Sequence, residues 1–142
     1  MLEPCQTISR TEKLNGDMAK FVYCNFNPKQ LHTNDCLVRA LAYFFGVSWR
    51  KAFLDIIEWC ADCGWVDWNY RSKYNVYLAE RGFERHKTPK RGMTVGRFCD
   101  EFAEEGKFYM VQVKRHMTIV HNKEINDTWD CSDRIVEYYW VR

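Results

Sequence analysis

Cys36 stands at the mouth of an apolar helix pattern, in the stretch QLHTNDCLVRALAYFFG. A cysteine at a helix N-terminus faces unsatisfied backbone N–H groups and the positive end of the helix dipole. Both favour the thiolate, which is the nucleophilic form of the side chain. Asn34 or Asp35 is placed to cap the same helix end. From position alone, a small buried core cysteine is the competing reading.

A nucleophile needs a base. The chain offers His32, His86, His116 and His121. His32 lies too close to Cys36 in sequence to orient freely, His86 falls in a basic loop, and His121 is near a hairpin turn. His116 opens the strand pattern HMTIVHN, and a strand holds a side chain rigidly, as general-base work requires. If Asn122-Lys123 is a two-residue turn, His116 pairs with Trp129 and Thr118 with Asp127. His116, Trp129 and Asp127 then share a face of the hairpin, with Asp127 diagonal to the imidazole. Such a carboxylate fixes the tautomer of the ring and stabilises the imidazolium. Trp129 would shield that contact, and Asp130 is the alternative third residue if a bulge shifts the register. Gln30 precedes Cys36 by six residues. Its amide N–H could donate to an oxyanion, beside the backbone N–H of Cys36.

The elements that must carry these residues follow from periodicity. Residues 1–18 read as a loosely ordered lead-in and 18–27 as a short edge strand ended by Pro28. Helices are expected over 35–45, from Ser48 to Gly64, over 71–80 and after Thr94. The pattern then turns to period 2, giving strands in KFYMVQVKR, HMTIVHN, EINDTW and RIVEYYWVR. Helices first and antiparallel strands after is an α+β layout, in one domain over 1–142.

Composition narrows the classes. The chain has 142 residues, 46% of them hydrophobic and 28% charged, which suits a folded domain rather than a disordered one. The 16% aromatic content means rings must fill much of the core. A net charge of +2 gives no reason to expect a nucleic-acid partner. No apolar run is long enough for a membrane, and the polar start lacks a signal-peptide core, so a cytoplasmic protein is expected. Seven cysteines, an odd number, read as reduced thiols. Cys60-x₂-Cys63 is half a zinc site without a matching second pair, and core packing on one helix face is the better reading. The basic loop ERHKTPKRG reads as solvated.

The string QLHTNDC resembles the papain-like cysteine peptidase superfamily, whose oxyanion-hole glutamine stands six residues before the nucleophile. The form Q-x₄-D-C looks most like the bacteriocin-leader-processing peptidases, although Leu37 follows the cysteine where those have Gly. The order Gln, Cys, His, Asp also matches, and Asp127-Thr128-Trp129 is similar to the Asn-Ser-Trp segment of papain. From Asn27 to Trp140 the arrangement also looks like small proteins of phages and Gram-positive bacteria. The resemblance implies a papain-like fold, N-terminal helices on a C-terminal antiparallel sheet, with a bacterial cytoplasmic setting. It implies a cysteine hydrolase cutting a peptide or isopeptide bond in a peptide or protein substrate, with no cofactor and no metal. Cys36 would be the nucleophile, His116 the base and then acid, Asp127 the orienting group and Gln30 the oxyanion donor. An acyltransferase using the same three residues, or an inactive fold that binds a host or phage partner, are the alternatives.

Overall fold

Helix α1 spans Cys36–Phe45, and its apolar face buries Leu37, Leu41 and Phe44. Gly46 ends it with φ +65°, where its N–H reaches the carbonyls of Ala42 and Tyr43. A residue with a Cβ would be strained in that left-handed conformation. The chain re-enters a helix at once. Ser48 Oγ accepts from the Lys51 N–H and starts α2, Trp49–Cys63. Helix α3 follows at Arg71–Glu80. Thr94 caps the short α4, Val95–Arg97, which widens into a π turn over Phe98–Phe102. The computed structural model describes residues 5–6 and 20–142, and the lead-in expected over 1–18 lies outside these apart from Cys5–Gln6.

The strands are β1 (Cys5–Gln6), β2 (Lys20–Cys24), β3 (His86–Lys87), β4 (Phe108–Val113), β5 (His116–His121), β6 (Glu124–Asp127) and β7 (Tyr138–Val141). They form one sheet in the order β1-β2-β6-β5-β4-β7-β3. The class is α+β. Successive residues of the central strands face opposite layers. Met110, Ile119 and Trp140 pack with α1, α2 and α3, whereas Val111, Val120 and Ile125 pack with Val95, Phe98 and Cys99. The sheet is therefore covered on both faces.

Three expectations need correction. The sheet is not purely antiparallel or C-terminal, because β2 lies parallel to β6 and covers the edge that the hairpin would otherwise leave bare. β2 is accordingly an inner strand, with β1 on its other side. Part of the basic loop is also a strand, since β3 pairs with β7. Finally, the thiols are not all reduced. Cys24 is disulfide-bonded, while Cys36, Cys60, Cys63, Cys99 and Cys131 are free. No helix among the described residues is long and apolar enough to cross a membrane.

Candidate active site

The β5–β6 hairpin has the register expected from its turn. His121 pairs with Glu124 and Ile119 with Asn126, and both Asn122 and Lys123 have positive φ, 51° and 60°. This is the turn whose twist matches paired strands. Extending the register brings Asp127 diagonal to His116, and the two side chains meet: His116 Nε2 lies 2.5 Å from Asp127 Oδ2. Trp129 stands edge-on to the imidazole at 5.0 Å between ring centroids, covering one side of the contact. Asp130 stands outside this contact. Its carboxylate turns back to accept from the Ser132 N–H, and the side chain is exposed.

The second ring nitrogen of His116, Nδ1, is left for Cys36, with which it shares a side-chain hydrogen bond. Helix α1 packs on β5, so the first residue of the helix meets the first residue of the strand. Burial pushes the Cys36 thiol up. The hydrogen bond and charge of His116, the Met117 backbone and the Arg39 guanidinium together outweigh it and hold the thiol below its ordinary 9.0. Burial likewise opposes charge on His116, but Asp127 and Cys36 raise it to about 9. Each partner favours the charged form of the other, which is the electrostatics of a thiolate–imidazolium pair.

Asp127 is almost wholly buried, with 2% of its side chain exposed. Its second oxygen, Oδ1, accepts from Arg39 Nη1 at 2.8 Å and from the Thr128 N–H at 2.7 Å. Burial raises its carboxyl, and the His116 bond, Thr118 and Arg39 more than reverse this. Arg39 is one turn beyond Cys36 on α1, so both point to the same side of the helix. Its Nε donates to Asp35 Oδ1 at 2.9 Å. Asp35 Oδ2 accepts in turn from Asn27 Nδ2 at 3.1 Å and Trp49 Nε1 at 2.9 Å. The result is a buried row of alternating charge, Asp35, Arg39, Asp127, His116 and Cys36. Arg39 was not among the residues expected here. Its signal in the sequence is a lone cation inside CLVRALAYFF, four residues after an aspartate. The cap expected of Asp35 is also absent, because Arg39 and Trp49 hold its carboxylate away from the helix N–H groups.

Gln30 does not serve as expected. Its Nε2 donates to the carbonyls of Asn25 and Asn27, both at 3.1 Å, so both amide protons are engaged in closing the 25–30 loop. The residue itself has φ +55°, and the amide bonds stabilise that turn. The first-turn N–H groups of α1, which no side chain caps, are donors beside the Cys36 sulfur, as is the Met117 backbone N–H.

His116, Asp127 and Cys131 bring their donor atoms within 4.8 Å of one another. They fit a metal poorly. His116 and Asp127 already bond each other, and burial pushes the Cys131 thiol up to about 12, where it stays protonated. The Cys60–Cys63 pair is split between environments, with Cys60 in the core and Cys63 exposed.

The free thiols should therefore separate by reactivity. At mildly acidic to neutral pH, iodoacetamide is expected to alkylate Cys36 ahead of Cys99 and Cys131, whose thiols burial holds high. Peptide mapping by mass spectrometry would check this, and equal labelling of Cys36 and Cys131 would contradict the assigned electrostatics. No family model matches the chain, and neither a curated protein nor a solved structure shows significant similarity to it.

Proposed function

We propose that this chain is a cysteine hydrolase with a papain-like arrangement, acting on a peptide or isopeptide bond through an acyl-thioenzyme. The observation that carries this reading is the contact chain from Cys36 through His116 to Asp127, which joins a helix N-terminus to a β-hairpin. In the first step the Cys36 thiolate attacks the carbonyl carbon, a C–S bond forms, and the carbonyl electrons move to oxygen. The N-terminal N–H groups of α1 stabilise that oxyanion. The tetrahedral species collapses as the C–N bond breaks, and the His116 imidazolium gives its Nδ1 proton to the departing amine. Neutral His116 then takes a proton from water, the hydroxide attacks the thioester, and Cys36 leaves as thiolate. Asp127 keeps the ring oriented in both halves and stabilises its charged form.

A sign follows for pH. His116 titrates near 9, so the leaving-group proton is present below that value and lost above it. Hydrolysis is expected to fall as pH rises through about 9. The test of the reading is turnover of a fluorogenic peptide library by wild type and by Cys36→Ala, with intact mass spectra recorded to trap the acyl adduct. Cleavage that survives in Cys36→Ala would rule the mechanism out.

A further inference from the structure

A cleft of about 350 Å³ opens beside the Cys36 sulfur and the His116 ring. Its size suits one or two residues of a bound chain. Leu37, Met117 and Tyr74 give it an apolar floor, and all three are buried in the core. Gln112 lies deep in it, tied down by Tyr74 Oη at 3.1 Å and donating to Glu137 Oε2 at 3.1 Å. Arg115 stands on the rim. No Asp or Glu lines the cleft among the described residues, so Arg115 supplies the one fixed charge in the wall apart from the Cys36–His116 pair itself.

Two features make this arginine more than a surface cation. It has no ion pair among the described residues, so its guanidinium is free to take an acceptor. It also lies in the two-residue link between β4 and β5, immediately before His116, with φ +59°. Glycine or asparagine is the easy residue there, and an arginine costs of order 1 kcal/mol of backbone strain. The tight link leaves little freedom for the backbone, which sets where the side chain leaves the chain, at the rim of the cleft.

Resting on the hydrolase reading above, we propose that the cleft selects a substrate group carrying a carboxylate, which Arg115 binds beside the scissile bond. A guanidinium pairs with a carboxylate through two parallel N–H donors, which fixes orientation as well as charge. The apolar floor would take the methylene stem of a glutamyl or aspartyl side chain. A chain-terminal carboxylate offers the same chemistry.

Chloroacetyl derivatives alkylate Cys36 only after seating their amino-acid part, so their rates report the cleft. The probes are chloroacetyl-Glu-amide, chloroacetyl-Gln-amide, chloroacetyl-Lys-amide and chloroacetyl-Gln with a free carboxylate. Each rate is divided by the rate with N-acetylcysteine to remove intrinsic electrophilicity. The glutamate probe is expected to react about fivefold faster than its glutamine isostere, and the lysine probe slowest. The free-carboxylate glutamine probe separates side-chain from chain-end recognition by whether it gains the same factor. Arg115→Ala should erase the preference while leaving the iodoacetamide rate at Cys36 unchanged. Lys114→Ala, which removes an exposed cation outside the cleft, should preserve it. Equal rates for Glu and Gln, or a preference that survives Arg115→Ala, would overturn the inference and leave the hydrolase reading standing. Failure of Cys36 to react even with iodoacetamide would overturn both.

Discussion

Replacing Arg39 by methionine is expected to destabilise the protein by about 3–5 kcal/mol, a large share of the stability of an ordinary domain. Methionine keeps most of the volume and removes the charge. Asp35 and Asp127 would then be left as buried carboxylates, with side-chain exposures of 5% and 2%, and without the cation between them. Desolvation of an unpaired carboxylate is the larger part of the cost, not the lost attraction. Arg39→Lys should fall between wild type and methionine. It keeps the charge but lacks the fork that reaches Asp35 through Nε and Asp127 through Nη1. Adding Asp35→Asn and Asp127→Asn to Arg39→Met should recover part of the loss, because no stranded charge remains. Urea unfolding of the four proteins measures all of this. A methionine variant within 1 kcal/mol of wild type would show that the row of charges does not hold the site together. The wild type carries its own pH signature. Asp127 is held below its ordinary 3.8, so its contribution is complete above that value and is lost as pH falls through the lower folded value.

His116→Ala is expected to cut hydrolysis by about 10²–10⁴-fold while leaving the fold in place. Two effects combine. The Cys36 thiol loses the hydrogen bond and charge of His116 that pull it down, so burial pushes it upward. Less of the thiol is then thiolate at neutral pH, so alkylation itself should slow. Hydrolysis loses the leaving-group proton as well. The distinguishing result is the pH dependence. In the variant, alkylation at higher pH should approach the wild-type rate, whereas hydrolysis should not recover at any pH. If alkylation at neutral pH matches wild type, His116 does not activate the thiol.

The parts of the site that the sequence makes legible are those set by short-range geometry. The helix from Cys36, stopped at Gly46, depends on local spacing and a left-handed glycine. The meeting of His116 with Asp127 depends on a two-residue turn, which fixes which side chains share a face. Trp129 follows from the same register. What stays hidden is set by partners far away in the chain. Arg39 has no role legible in the sequence until Asp127, 88 residues later, is folded against it. Asp35 reads as a cap because nothing local reveals the pull of Trp49 and Arg39. Gln30 has the spacing of an oxyanion donor, but spacing carries no information on which carbonyls will claim its amide. The parallel pairing of β2 with β6 is equally nonlocal.

The most direct measurement is a spectroscopic pH titration of the Cys36 thiolate, taken as the ultraviolet difference between wild type and Cys36→Ser and repeated in the His116→Ala background. The account predicts a thiolate signal that develops below the ordinary thiol value of 9.0 and moves upward when His116 is removed. A Cys36 signal with the same midpoint in both backgrounds would contradict the pairing on which the proposed chemistry depends.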